Sequence, residues 1–231
     1  AGELADLGIT VDCAPVLDLA REEGHEIIGD RALGETVQRV AELGAAICQG
    51  LLAGGVLPVI KHLPGHGRAG ADSHFELPRV DATLEDLAAT DFGPFRALNQ
   101  MPWGMTAHVL YSAMDDTAPA SLSAHVVGEV IRIGIGFDGL LLSDDLGMGA
   151  LAGSLAERTG ACLGAGCDVA LHCSGVMEEM EQVMDVAPPL GNAAMARLSR
   201  GEALRRRSQQ SLAENESEQR LQGLLARLEE D

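Results

Sequence analysis

Lysine is almost missing from this chain of 231 residues: Lys61 stands alone, and the other 15 fixed cations are arginines. Positive charge is scarce altogether, with 35 acidic residues against 16 basic ones and a formal net charge of −19. Such a field repels a phosphate backbone, which argues against nucleic acid as a partner and against anionic membrane surfaces. Aromatic residues make up 3% of the chain, so its core has to be aliphatic. The five cysteines are an odd number and form no C-x-x-C. They lie far from the cysteine-dense pattern of small secreted domains, so free thiols in a reducing, cytoplasmic compartment are expected. Long apolar runs are absent too. The best, "GLLLS", is far too short to cross a bilayer, and the opening residues show no basic segment followed by an apolar one.

What is present is the alternation of an α/β protein. Hydrophobic residues make up 46% of the chain and charged residues 22%, an ordinary globular balance. Short apolar runs predict five strands, within residues 8–19, 56–61, 103–109, 138–145 and 167–173. Between and after them, helical spacing predicts helices over 34–55, 83–99 (capped by Thr83 and split near Pro94), 121–134, 154–166 and 176–187. Residues 192–229 contain no strand pattern and read as one or two amphipathic helices. Strands alternating with helices imply a mainly parallel sheet. The polar residues with useful chemistry gather at or just past the C-terminal ends of the strands: Asp12, Asp18, Lys61, His62, His108, Ser143 to Asp145, and His172. That end carries the site in barrels and doubly wound sheets.

The stretch "KHLPGHGRAGADSH" (61–74) holds three of the seven histidines. Lys61 and His62 close a strand. Pro64, Gly65, Gly67 and Gly70 then force an irregular loop able to move over a pocket. Within it, Asp72 and His74 are spaced so that a carboxylate orients an imidazole for proton exchange near neutral pH. His62, His66, His74 and Asp72 are also zinc-ligand types, but Pro64 and Gly65 break the helical spacing that a pair of ligating histidines would need, and no metal is expected. In "GFDGLLLSDDLGM" (136–148), two aspartates end a strand buried on both faces. Asp144 is read as chemical and Asp145 as structural. Arg31, in the "GDR" turn that follows an expected strand, offers a guanidinium fork suited to hydroxyls or carboxylates.

Together these residues resemble glycoside hydrolase family 3, and within it the bacterial β-N-acetylhexosaminidases. The matching segments are "APVLD" (14–18), "IGDRA" (28–32), "KHLPGHG" (61–67), "ADSH" (71–74), "AHVLY" (107–111), "GFDGLLLSDDLGM" (136–148) and "AGCDVALHC" (165–173), in the family's order. The resemblance implies a (β/α)8 barrel and a cofactor-free retaining enzyme. It implies Asp144 as nucleophile and His74, paired with Asp72, as general acid/base. Arg31, Lys61, His62 and His108 would bind the sugar, and the substrate would be N-acetylglucosaminides from peptidoglycan-derived muropeptides. The family's acidic, glycine-rich segment, resembling Asp-Gln-Glu-Gly-Gly, is not found upstream. About five of the eight barrel strands are therefore expected, as an N-terminally truncated barrel over residues 1–187 with a helical segment over 188–231. Leu63 and Thr106 stand where the family often has Phe and Pro. Alternatives are another family 3 β-glycosidase, against which the Asp-x-His loop argues, and a non-catalytic remnant.

Overall fold

The computed structural model describes residues 1–22, 24–210 and 214–228. Five parallel strands form the sheet: β1 (Val11–Asp12), β2 (Leu57–Leu63), β4 (Trp103–Thr106), β6 (Leu140–Asp145) and β7 (Val169–Leu171), adjacent in that order. Spatial order follows chain order without reversal, so the sheet lacks the switch point of a doubly wound fold and is an open, parallel half-barrel. All five expected strands are present. Two more, β3 (Arg79–Val80) and β5 (Leu110–Tyr111), pair with each other beside it. They were not anticipated, since two residues leave no periodicity to read.

The helices are α1 (Gly2–Asp6), α2 (Val37–Ala53), α3 (Leu84–Ala89), α4 (Gly93–Ala97), α5 (Leu155–Ala165), α6 (Met177–Val186), α7 (Asn192–Ser208) and α8 (Glu214–Leu228), with a π-helix at Val126–Ile135. Thr36 caps α2, which buries Val40, Gly44, Cys48, Leu51 and Leu52 along one stripe. A methyl at Gly44 would sit 2.4 Å from the Leu17 side chain, so glycine is what lets α2 approach the strand. Thr83 caps α3 as expected, but the break in residues 83–99 falls at Thr90–Phe92, and Pro94 lies in the first turn of α4. The helix expected over 121–134 is a 3-10 turn at Ala120–Leu122 followed by the π-helix. Arg31 follows no strand; it ends a 3-10 turn, Gly29–Arg31. Part of the helical tail expected over 192–229, residues 211–213 and 229, lies outside the described residues, as do residues 230–231.

Alternation along β6 separates two apolar layers. Leu141 enters the main core with Ile60, Leu63, Phe95, Val126, Ile131, Phe137 and Cys162, from the strands and the helices between them. Leu140 and Leu142 point the other way and meet Ala194 and Leu198 of α7. Beyond Leu142, up to Asp145, the β6–β7 register is irregular. Helix α7 crosses the N-terminal edge of the strands. Arg197 and Arg200 bind Asp138 ahead of β6, Gly201 abuts Trp103 at the start of β4, and Arg205 donates to the Gly55 carbonyl ahead of β2. The opposite, C-terminal edge is left to the site. Among the described residues no helix is long and apolar enough to cross a membrane.

Candidate active site

Strand β2 is buried along its length apart from Lys61. The register of β2 against β4 shifts between Ile60 and Leu63, and Lys61 and His62 both line one cavity. Backbone bonds strap residues 16–17 to this point: Val16 bridges Lys61, and the Leu17 amide donates to the Lys61 carbonyl at 2.7 Å. Asp18 is thereby set beneath the β2 exit, 1% exposed. Its Oδ1 accepts from the amides of His66 (2.6 Å) and His62 (3.3 Å), and its Oδ2 lies 2.6 Å from His62 Nδ1. Burial alone would raise the Asp18 pKa. The His62 charge and hydrogen bond, with the His66 contacts, outweigh it and hold the carboxyl below its usual range. The far nitrogen of His62, Nε2, lies 4.0 Å from Asp144 Oδ2.

Asp144 ends β6 half-buried, and its Oδ1 accepts from the Asp145 amide at 2.9 Å. Asp145, by contrast, is engaged by backbone amides that follow β6 and β7. Its Oδ1 accepts from the amides of Gly147 (2.9 Å) and Cys173 (3.2 Å) and lies 3.4 Å from His172 Nδ1. Facing Asp144 across the cavity is the loop that carries His74. Asp72 Oδ1 accepts from the His74 amide at 2.9 Å and lies 2.7 Å from its Nδ1. Desolvation acts to raise the Asp72 pKa, but the two His74 bonds, with the His74 and His25 charges, together outweigh it and keep the carboxyl below its usual range. The expected mobile loop is docked at this point: Gly149 and Ala150 donate to the carbonyls of His74 (3.0 Å) and Ser73 (3.1 Å).

The cavity between these elements has a volume of about 130 Å³. Arg31, Lys61, His62, His74 and Asp144 line it, together with His66, Ser73, Met148, Ile27 and Ile28. Arg31 spends two guanidinium donors on the Ile27 carbonyl, which fixes its own turn. Asp72 stands behind His74 rather than in the wall. His108 does not join them. It is fully buried, with Nδ1 2.7 Å from Ser121 Oγ and Nε2 3.0 Å from the Asp145 carbonyl, so it braces the end of β6. Burial pushes its pKa down. Among the described residues no three His, Cys, Asp or Glu side chains gather as a metal-binding group. Sequence reasoning placed Asp18 at the functional end of the sheet but missed its pairing with His62. The signal available was a carboxylate inside the apolar run "APVLDLA", where burial demands a partner.

The site's elements all lie within residues 1–205, the span matched by the model of the glycosyl hydrolase family 3 N-terminal domain. The chain belongs to glycosyl hydrolase family 3. Curated family members named beta-hexosaminidase include one from Alkalilimnicola ehrlichii, 43% identical over 178 residues (75% of this chain, 51% of that protein). Another, from Chromobacterium violaceum, is 40% identical over 204 residues (87% of this chain, 57% of that protein). This chain thus spans about half the length of the curated relatives it matches. Among solved structures, the family 3 beta-N-acetylglucosaminidase from Paenibacillus sp. str. FPU-7 superposes with a TM-score of 0.79 at 31% identity, covering 92% of this chain and 43% of that one. NagZ from Neisseria gonorrhoeae, in complex with N-trifluoroacetyl-D-glucosamine, gives 0.77 at 34% identity, covering 93% and 60%.

Proposed function

We propose that this chain carries the site of a retaining β-N-acetylglucosaminidase acting on terminal N-acetylglucosamine of peptidoglycan-derived fragments. The observation that carries the reading is the sharing of one cavity by Asp144 and His74, with His74 backed by Asp72. Asp144 attacks the anomeric carbon and forms a glycosyl-enzyme. His74 protonates the departing oxygen, then accepts a proton from the water that releases the sugar. Asp72 engages Nδ1, which leaves Nε2 for the glycosidic oxygen. Lys61, His62 and Arg31 donate to the sugar's hydroxyls. His108 acts at one remove, through the β6 terminus.

The N-acylated glucosamine bound by the NagZ neighbour supports this substrate class. A cytoplasmic location and a cofactor-free reaction belong to the same reading, in keeping with five free cysteines. The five-stranded sheet is read with it as part of an eight-stranded barrel. The test is hydrolysis of a chromogenic N-acetylglucosaminide with the product anomer followed by proton NMR. First release of the β-anomer supports the reading; first release of the α-anomer, or no turnover, removes it.

A further inference from the structure

Resting on that glycosidase reading, we propose that Asp18 is a positioning residue: it holds the His62 ring in one tautomer and presents Nε2 to the sugar beside the nucleophile Asp144. Asp18 touches no part of the cavity itself. It is 1% exposed, and every contact it makes serves the β2 exit: the His62 ring at 2.6 Å and the amides of His66 and His62 at 2.6 and 3.3 Å. A buried carboxylate with three donors around it has no proton to give. The shared proton therefore sits on His62 Nδ1, and Nε2 is the atom left facing the cavity.

The separation of 4.0 Å between Nε2 and Asp144 Oδ2 is too long for a direct hydrogen bond and leaves room for a substrate hydroxyl to touch both. The charged and titratable groups around His62 are Asp18 behind it, Asp144 in front, Lys61 before it in the chain, His108, and His66 edge-on with ring centroids 5.6 Å apart. Of these, Asp18 alone lies within hydrogen-bonding distance of a ring nitrogen of His62.

Asparagine at position 18 makes the case testable because it keeps the shape and reverses one contact. The two amides require an oxygen at the Oδ1 position, so the asparagine NH2 must face His62 Nδ1. Nδ1 then becomes an acceptor, and the proton moves to Nε2. This is the tautomer switch expected whenever a carboxylate that orients a histidine is replaced by its amide.

The experiment compares the full chain with Asp18→Asn, His62→Ala and the double variant. It reads kcat and KM on an aryl N-acetylglucosaminide, thermal melting, and ring-nitrogen NMR on histidine-labelled protein. The expected result for Asp18→Asn is a folded protein whose His62 proton has moved from Nδ1 to Nε2. Its kcat falls by about 10- to 100-fold, the scale seen when a metal-ligating histidine loses the partner that orients it. The double variant is expected to be no worse than His62→Ala, since Asp18 acts through that ring. Losses that multiply in the double variant would overturn the proposal, as would a wild-type Nδ1 without a proton. The wild-type spectrum decides the orientation even where the variant does not fold. Failure of the glycosidase reading has its own signature: a wild-type chain that hydrolyses no aryl glycoside while keeping the Nδ1 proton. That result overturns the catalytic role and leaves only the geometry.

Discussion

His74 faces the cavity through a half-exposed ring, with one nitrogen committed to Asp72. A proton donor in that position matters most when the leaving group is poor. His74→Ala is therefore expected to slow alkyl or sugar aglycones by about 10²- to 10⁴-fold, the usual range for a general acid, and activated aryl leaving groups much less. Equal losses on both, measured as kcat/KM, would argue against protonation in the first step. The site was partly legible in the sequence. Asp144, His74 and Asp72 are close in sequence to recognisable turns, and Lys61 and His62 end a clear strand. Asp18 is 44 residues from its partner His62, and no local pattern encodes a contact at that distance. His108 misled because a histidine at a strand end looks the same whether it faces the lumen or braces a neighbour.

Individual elements carry separable jobs. Helix α5 begins with a full capping box: the Ser154 amide donates to Glu157 Oε2 at 2.8 Å, and the Glu157 amide donates to Ser154 Oγ at 3.3 Å. No cavity residue lies on α5. Ser154→Ala should cost about 1 kcal/mol of stability, read from the denaturant midpoint, with hydrolysis at low temperature unchanged. The segment after β6 does the reverse. A methyl at Gly149 would lie 2.8 Å from the His74 carbonyl and 2.7 Å from that of Phe75, so Gly149→Ala pushes the His74 loop off its seat. Displacing a reacting group by about 1 Å costs on the order of 10²-fold; kcat/KM should fall on that scale with little change in melting temperature. Full activity would show that the loop does not need its docking at Gly149. The elements missed from sequence were the two strands of the β3–β5 pair, too short to show any periodicity; the helix over 121–134 was found, but its apolar spacing does not tell a π-helix from an α-helix.

For the molecule as a whole, the site sits at one edge of the half-barrel and α7 seals the other. The charge balance bears on stability through groups buried in the wall between. His66 is 2% exposed. Burial, reinforced by the nearby His62, depresses its pKa from 6.5 to about 4. The unfolded chain then takes up a proton that the folded one refuses, so stability falls as pH drops from about 6.5 to about 4, by up to about 3 kcal/mol from this group. Asp18, whose folded pKa is lowered, contributes stability that is lost only at still lower pH, as that carboxyl protonates. His66→Phe should therefore flatten the melting-temperature profile between pH 6.5 and 4 relative to wild type. An unchanged slope would mean His66 does not titrate as its burial dictates.

On the proposed mechanism, Asp144 forms the bond to the sugar. Incubation with a slow-releasing fluorinated N-acetylglucosaminyl fluoride, followed by digestion after arginine and mass spectrometry, tests it directly. Cleavage after Arg132 and Arg158 yields residues 133–158, which hold both Asp144 and Asp145. One added sugar is expected on this peptide, placed on Asp144 by fragmentation and absent from Asp144→Ala. A label on Asp145, on the His74 peptide, or on no peptide of a chain that turns the substrate over would contradict it.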